Sequence, residues 1–278
     1  MTSTIRTKVA GSPGVLAVLT DPQLRDELDR VAAAVGVRVV HTGGETVSRK
    51  TWSAAAAVVV DEAAADFMSE ARVKSAFLGY RLGHRVFPGN ICISLNDEVV
   101  HGIGSQRRVQ YGDVVKLDIG IIQDGWVGDN ATTVPVGIID ERTDQLLRAT
   151  ENALARAISV AHEGHRVGDI CAEIEDEARR YGFSVVREFV GHGVGRKMHE
   201  EPQIPNYGKR GSGPKLKAGM TLAIEPMINI GTSDVRLLDD GWTVCTADSL
   251  PSAHFEHTVL ITKADPEILT WRAKTQLR

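Results

Sequence analysis

Three apolar segments of this sequence, each typical of a β-strand, are interrupted by a single acidic residue. Asp118 lies within residues 114–120, Glu225 within residues 221–227 and Glu256 within residues 254–258. A buried carboxylate is strongly unfavourable unless a partner compensates its charge. A fold that buries these strands must therefore bring the acids to a place where something neutralises them.

The first of these segments is followed by another acid, Asp129, across a turn signal at residues 123–125. Two strands joined there form a hairpin. With either Asp124-Gly125 or Gln123-Asp124 as the loop, Asp118 and Asp129 share one face, directly opposite or one diagonal apart, with Cβ atoms roughly 5–8 Å from each other. Such a pair is unfavourable unless one acid is protonated or a cation lies between them. A divalent cation is the simpler interpretation.

A histidine, His192, follows a strand-like segment and stands between glycines in Gly-His-Gly-Val-Gly. These glycines do not form a dinucleotide fingerprint, because Arg196 occupies the third glycine position and Pro202 interrupts any helix. We expect them to let the backbone approach another group closely beside His192. In contrast, His162 and His165 lack the spacing of a zinc-binding helix, and a solvated helix end is the better interpretation.

The four acids carry a charge of −4, which two divalent cations would cancel. Oxygen ligands with one imidazole suit cobalt, manganese, iron or zinc. The sequence therefore predicts a centre with two divalent metal ions.

The composition narrows the class of protein. Lys and Arg total 32 against 36 for Asp and Glu, and this net charge of −4 offers no basic field for nucleic acid. The three cysteines are widely spaced without a CxxC motif, which favours reduced thiols over a disulfide framework. No run of about 18 apolar residues could span a membrane. We expect a cytoplasmic protein with neither nucleic-acid nor membrane partners.

The pattern of elements predicts an α+β fold with antiparallel connections. Helices are predicted at residues 62–71, 141–163 and 167–181, and strands at residues 77–80, 91–95, 114–122, 184–190, 221–230 and 255–262. Residues 1–62 differ from the rest of the chain in their pattern of predicted elements. They predict a β-α-β-like segment with strands at residues 15–19, 37–40 and 56–60 and a helix at residues 22–35.

Several short motifs together resemble one known family over roughly residue 66 to the C-terminus. They are Phe77-Leu78-Gly79-Tyr80, Phe87-Pro88, Ile91-Cys92-Ile93-Ser94, Asn96 through Val100-His101-Gly102-Ile103, Lys116-Leu117-Asp118, Gly128-Asp129, Phe189-Val190-Gly191-His192-Gly193-Val194-Gly195, His199-Glu200-Glu201-Pro202, Ile224-Glu225-Pro226-Met227, Asp240-Gly241-Trp242 and Phe255-Glu256-His257-Thr258. The chain resembles the type I methionine aminopeptidases. The resemblance implies the pita-bread fold, with an antiparallel sheet and halves related by a pseudo-twofold axis.

The resemblance also implies a set of metal ligands, which are Asp118, Asp129, His192, Glu225 and Glu256. In the family pattern Asp129 and Glu256 bridge both metals, Asp118 serves one, and His192 with Glu225 serve the other. The implied reaction is hydrolytic removal of the initiator methionine from nascent proteins with a small second residue, by attack of a metal-bridging hydroxide.

Further roles are implied by motif position. Glu225 is similar to the family's proton shuttle, His199 to the histidine that steadies the tetrahedral oxyanion, and His101 to the one that contacts the substrate near the scissile nitrogen. The walls of the methionine slot are expected to be Phe77, Phe87, Cys92, Met198 and Trp242. The chain departs from the family pattern in two places: Met198 replaces a bulky aromatic residue, and residues 81–86 lengthen the connection before Phe87.

Other functions of the same fold are open. Prolidases and proline aminopeptidases use a similar ligand set, usually in longer chains, and some pita-bread proteins are non-catalytic binding modules without metals. The intact ligand set argues against a binding module. The expected partners are nascent polypeptide N-termini, at the ribosome, and the expected state is a monomer. The division expected is an N-terminal segment at residues 1–62, docked on the catalytic domain or loosely folded, and a catalytic domain at residues 63–278. The helix at residues 22–35 is a candidate replacement for a helix that family members normally have in this region, and partner binding is the other role considered.

Overall fold

The computed structural model describes residues 14–17, 38–41 and 59–270 of the chain. In the N-terminal part, strand β1 (Gly14–Ala17) pairs in parallel with β2 (Arg38–His41), with Gly14 opposite Arg38. Parallel pairing agrees with the β-α-β-like pattern predicted for this segment, because strands that are apolar along their whole length are typical of parallel sheets. The predicted helix at residues 22–35 lies outside the described residues.

The first described helix, α1, spans Val59–Glu70. The strand predicted at residues 56–60 is therefore wrong where the structure describes it, because Val59 and Val60 begin this helix; the alanine-rich sequence that follows has high helix propensity. The helix is tied to the sheet by Asp61, whose carboxylate accepts hydrogen bonds from the backbone N–H groups of Asn90 (2.7 Å) and Ile91 (3.1 Å).

The first half of the described catalytic region is built on a long hairpin. The strands are β3 (Lys74–Ser75), β4 (Arg81–Leu82), β5 (Arg85–Val86), β6 (Cys92–Leu95), β7 (Glu98–Val100), β8 (Val114–Gln123) and β9 (Trp126–Pro135). β8 lies between β3 and β6 and also pairs with β9, and all these pairs are antiparallel. The apolar face of this sheet packs against Ala64 and Met68 of α1.

A strand was predicted at residues 77–80, and the structure has a turn there instead. The hydroxyl oxygen of Ser75 accepts hydrogen bonds from the N–H groups of Phe77 (3.0 Å) and Leu78 (2.9 Å), and Gly79 has a φ of 81°. A side-chain acceptor of this kind competes with a strand ladder for the backbone. The turn leads into the small β4–β5 hairpin, which the lengthened connection before Phe87 forms.

Two further helices, α2 (Glu141–Ser159) and α3 (Val167–Arg180), form an antiparallel layer. The carboxylate of Asp140 caps α2 by accepting from two backbone N–H groups. This helix ends four residues before the predicted end at Glu163, because the Glu163 N–H leaves the helix to donate to the Thr262 carbonyl (3.0 Å). Across the described ranges, no helix has both the length and the apolar character needed to cross a membrane.

The second half contains the remaining strands. They are β10 (Ser184–Val185), β11 (Val190–Gly193), β12 (Glu200–Pro205), β13 (Thr221–Ile224), β14 (Met227–Asn229), β15 (Val235–Leu237), β16 (Val244–Thr246), β17 (Ser252–His254), β18 (His257–Leu260) and β19 (Glu267–Ile268). One sheet has the order β12-β11-β13-β18-β19, a second β10-β14-β17, and a third joins β15 and β16 to β7. The first two sheets contribute to the main core with α2 and α3.

Each of the three strands predicted in this half is broken, which corrects the sequence expectation. Residues 184–190 divide into β10 and the start of β11, residues 221–230 into β13 and β14, and residues 255–262 begin with a break before β18. The breaks at Glu225-Pro226 and Phe255-Glu256 lie opposite each other, since Ile224 pairs with His257 and Met227 with His254. Pro226 has no N–H to donate to a ladder. At this level the paired strands pass from one sheet to the other.

The two halves meet along a line of three contacts, which we call the seam. The Thr258 hydroxyl accepts from the Asp129 N–H (3.0 Å) and donates to the Asp129 carbonyl (2.8 Å). The Glu256 N–H donates to the Ala131 carbonyl (2.9 Å). Two residues further along β9, the Thr133 hydroxyl accepts a hydrogen bond from the His254 N–H and donates one to the His254 carbonyl. The seam brings an acid of the first half beside an acid of the second.

Candidate metal centre and adjoining apolar cluster

The β8–β9 hairpin positions the first two candidate ligands. Its loop is Asp124-Gly125, and both residues have positive φ values (52° and 77°), as a type I′ turn requires. Asp118 pairs with Ala131, and Asp129 pairs with Gly120. The two acids are therefore diagonal neighbours on one face, which is one of the two arrangements that the sequence predicted.

His192 lies on β11 with its ring directed at acids. Nδ1 is 2.9 Å from the Gly193 carbonyl oxygen, an acceptor, so Nδ1 carries the proton and donates. Nε2 then presents a lone pair, 3.8 Å from Asp129 Oδ2 and 3.4 Å from Glu225 Oε1. Burial, with a contribution from the neighbouring His199, lowers the pKa of His192 to about 4 and keeps the ring neutral.

The glycines beside His192 permit the close approach that the sequence predicted. A Cβ on Gly191 would lie 2.5 Å from the Ala223 carbonyl oxygen, and one on Gly193 would lie 2.3 Å from the Glu201 carbonyl oxygen. Real Cβ atoms do not come so near backbone atoms. The glycines thus let the strands on both sides of β11 pack against it around the histidine.

The last two candidate ligands lie at the level where the strands change sheets. Ligand atoms of Asp129, His192 and Glu256 all lie within 4.8 Å of one another. Glu225 joins them through His192, and Asp118 through its diagonal position beside Asp129. The structure brings together all five residues that the sequence singled out.

The carboxylates of this group have few hydrogen-bond donors. Asp118 Oδ1, Asp129 Oδ1 and Glu256 Oε1 are buried and have no hydrogen-bond partner among the described residues. Burial raises the pKa of Asp118, Asp129, Glu225 and Glu256 well above the usual carboxyl range, and like charge adds to this effect for all but Glu225. An unsatisfied, buried and mutually repelling set of acceptors is unfavourable by itself.

A divalent cation would resolve both problems. The group offers carboxylate oxygens and one imidazole lone pair, which is a donor set that manganese, iron, cobalt and zinc accept. Cys92 lies opposite Asp118, and burial, followed by the nearby acids, raises the pKa of its thiol well above the usual value. The residues present therefore fit a divalent metal site.

An apolar cluster adjoins the acids. Phe77, Phe87, Cys92 and Trp242 are buried in it, and Met198 packs against them. The ring of Phe87 meets Phe77 at 6.3 Å and Trp242 at 5.3 Å, both edge to face, which is a favourable geometry for aromatic pairs. The structure thus groups all five side chains expected for the methionine slot.

Two more histidines lie near the candidate ligands. His199 packs edge to face against His192, with 4.4 Å between ring centroids, and its Nδ1 lies 2.9 Å from the Tyr80 hydroxyl. His101 has a φ of 60°, which is uncommon for a residue other than glycine and is often found at functional sites. Burial, and then the nearby His254 and His199, lower the pKa of His101 to about 4.

The comparison with known proteins agrees with this geometry. The model of metallopeptidase family M24 matches residues 31–263. The chain is 50% identical over 184 residues to the methionine aminopeptidase of Clostridium perfringens, covering 66% of this chain and 74% of that protein. It is 43% identical over 264 residues to the enzyme of Aquifex aeolicus, covering 92% and 99%.

The chain belongs to metallopeptidase family M24, among the methionine aminopeptidases. A crystal structure of methionine aminopeptidase from Thermotoga maritima superposes with a TM-score of 0.73 at 44% identity, covering 77% of this chain and 84% of that one. The resemblance stated from the motifs is confirmed, and so is the α+β pita-bread fold. As a member of family M24, the chain is a metal-dependent hydrolase.

Two residues of the site were missed by the sequence reasoning for this M24 member. Tyr80 was quoted only as part of a motif, yet its hydroxyl contacts His199. His254 was quoted beside Glu256 without a role, yet it is 2% exposed and its Nε2 lies 3.6 Å from Glu225 Oε2. No local pattern marks the role of His254, because His254 ends β17 and Glu256 lies in the break before β18, outside both strands.

Proposed function

We propose that this methionine aminopeptidase family member removes the initiator methionine from nascent proteins and peptides with a small second residue, in the cytoplasm. The observation that carries the proposal is the apolar cluster, which adjoins the acids through Cys92, opposite Asp118. Aromatic and thiol groups suit a thioether side chain. The similarity of the chain to methionine aminopeptidases supports the same substrate.

We propose two divalent ions, because four carboxylates carry −4 and leave buried oxygens without partners. The proposed ligands are Asp118, Asp129, His192, Glu225 and Glu256. When bound, the ions lower the pKa of water and polarise the scissile carbonyl.

The side chains around the ions have distinct proposed tasks. Burial raises the pKa of Glu225 above the usual carboxyl range, and a carboxyl of this kind is suited to take up and release a proton. We propose that the Tyr80 hydroxyl donates a hydrogen bond to His199 Nδ1, so that the ring carries its proton on Nε2 and presents this N–H to the developing oxyanion. His101 is neutral and partly buried, and it contacts the substrate near the scissile nitrogen.

The first test is peptide selectivity. Purified protein with Mn²⁺ or Co²⁺ is expected to release methionine from a Met-Ala-Ser peptide much faster than from Met-Lys-Ser, and not to cleave an Ala-Pro peptide. EDTA should abolish the reaction. Equal rates on the two methionine peptides would contradict the proposed second-residue preference, and preferred cleavage of Ala-Pro would indicate a proline-specific enzyme. An absence of bound metal after reconstitution would indicate a binding module.

We further propose that residues 1–62 are a segment distinct from the catalytic domain at residues 63–278, except that the end of the segment belongs to the catalytic domain, because α1 begins at Val59 and Asp61 of this helix accepts hydrogen bonds from the backbone before β6. The parallel β1–β2 pair supports this, because the described strands from residue 74 onward pair antiparallel. Limited proteolysis within residues 42–50 should leave an active core. Loss of activity on cutting would mean that the segment completes the catalytic domain.

A further inference from the structure

His254 presents a polar atom with no partner. The residue is 2% exposed, and within the part of the chain that the structure describes its Nε2 makes no hydrogen bond. A buried polar atom in this state is costly, and each such atom in a native protein calls for an explanation. The nearest acidic group is Glu225, whose Oε2 lies 3.6 Å away.

The fold fixes the backbone of His254 from two sides. It is the last residue of β17, where it pairs with Met227 of β14. On the seam, the Thr133 hydroxyl accepts from the His254 N–H (2.9 Å) and donates to the His254 carbonyl (2.7 Å). A residue held in this way has little freedom, so the place of its ring beside Glu225 is set by the structure.

The two oxygens of Glu225 face two different imidazoles. Oε1 faces His192 Nε2 at 3.4 Å, and Oε2 faces His254 Nε2 at 3.6 Å. His192 cannot donate from Nε2, because its proton is on Nδ1, where it is bound to the Gly193 carbonyl. Among the described residues, Nδ1 of His254 has no such carbonyl partner, so this ring can carry its proton on Nε2. The 3.6 Å separation exceeds a hydrogen bond, and such contacts in empty active sites commonly tighten when ligands bind.

We propose that His254 is a positioning residue for Glu225. His254 donates a hydrogen bond from its Nε2 to Oε2 of Glu225, and this bond keeps Oε1 of Glu225 turned toward His192 and the metal. The proposal rests on the proposed role of Glu225 as a ligand. Carboxylates that ligate metals are themselves commonly held by hydrogen bonds, and loss of such a partner typically costs 10- to 100-fold in metal affinity or activity.

Two variants separate hydrogen bonding from packing. His254→Gln keeps a side-chain N–H donor, whereas His254→Leu has a similar bulk without one. His162→Leu is the matched control, because His162 lies after α2, outside the group of candidate ligands. Calorimetric titration with Mn²⁺ of each metal-free protein is the first measurement. We expect His254→Leu to bind about 10- to 100-fold more weakly, and His254→Gln and His162→Leu to bind nearly as wild type.

The second measurement is turnover of Met-Ala-Ser at saturating Mn²⁺. We expect His254→Leu to lower kcat by roughly 10-fold or more with little change in KM, and His254→Gln to recover most of the loss. In a Glu225→Ala background, which leaves His254 no side-chain oxygen to hold, the effect of His254→Leu on Mn²⁺ affinity should largely disappear, because the two residues act through one contact.

Equal losses in the Gln and Leu variants, or none in either, would overturn the proposal. A visible spectrum of the Co²⁺ protein that differs between wild type and His254→Gln would also overturn it, since it would make His254 a ligand. If the wild type bound Mn²⁺ but did not cleave the peptide, the proposed substrate would be wrong. The affinity series would still decide the role of His254.

Discussion

Replacing Glu256 by glutamine should stabilise the metal-free protein, although most substitutions at buried positions destabilise. Glu256 is 2% exposed, its Oε1 has no partner among the described residues, and its ligand atom lies within 4.8 Å of those of Asp129 and His192. Without metal this carboxyl is either ionised beside another acid or forced to keep its proton, and both states cost free energy in the folded protein. A glutamine side chain carries no charge and no such proton, so it avoids both costs.

The magnitude follows from the separation of the two acids. Unit charges that lie within 4.8 Å of each other repel by at least about 3.5 kcal/mol at an effective dielectric constant of about 20. Protonation relieves part of this, so about 1–3.5 kcal/mol is the expected gain. For a domain of this size, that gain raises Tm by about 3–10 °C.

The effect has a defined pH dependence. Burial, followed by like charge, raises the pKa of Glu256 well above the usual 4.5 in the folded state. The folded protein then binds more protons than the unfolded chain above that usual value, so stability falls as pH rises from there toward the raised pKa. The advantage of Glu256→Gln should therefore be larger at pH 8 than at pH 5.

Differential scanning calorimetry on EDTA-treated protein at these two pH values is the assay, with the exposed Glu151→Gln as control. Added Mn²⁺ should reverse the order. Wild type gains about 2.7 kcal/mol per site at a hundredfold excess over Kd, whereas the variant gains less. The reasoning is refuted if metal-free Glu256→Gln melts below wild type at pH 8, or if Mn²⁺ raises both Tm values equally.

Three other predictions concern the reaction and the metal. Glu225→Gln should keep the fold, as seen by circular dichroism, and lose most turnover, because an amide ligates weakly and cannot carry a proton. His199→Ala should lower kcat more than it raises KM in steady-state assays, and an unchanged kcat would mean that the role is misassigned. Mn²⁺ binding near pH 7 should release protons, because the raised carboxyl pKa values leave protons to displace. The release is measured as a dependence of the calorimetric heat on the ionisation enthalpy of the buffer. For the same reason Mn²⁺ affinity should fall as pH falls.

The sequence predicted the candidate ligands because acids inside apolar strands are costly and therefore visible. Asp118 and Asp129 could be placed on one face from the turn signal alone, and only the choice between opposite and diagonal needed the register. Long, strongly periodic elements such as α2 and α3 were also predictable, apart from the last turn of α2.

The breaks in the strands could not be predicted in the same way. Pro226 is a local sign that the ladder of residues 221–230 is interrupted, but the sheets that the two parts join depend on tertiary pairing, which places Ile224 on one sheet and Met227 on another. The same limit explains why His254 was missed, since its role depends on which sheet carries it. The contact between Tyr80 and His199 joins residues far apart in the chain, and no local pattern indicates it.

The seam also determines the order in which the site can be assembled as the chain folds. Asp118 and Asp129 come from one hairpin with a two-residue loop, which needs no other part of the chain to bring them together. Glu256 reaches them only when β9 meets Thr258 across the seam, so its arrival requires nearly the whole chain. Before that step the hairpin holds two repelling acids with no third ligand. Metal binding is therefore a late event that stabilises only the completed fold. A truncated chain lacking β17 and β18 would keep the repulsion between the two acids without the ion that neutralises it.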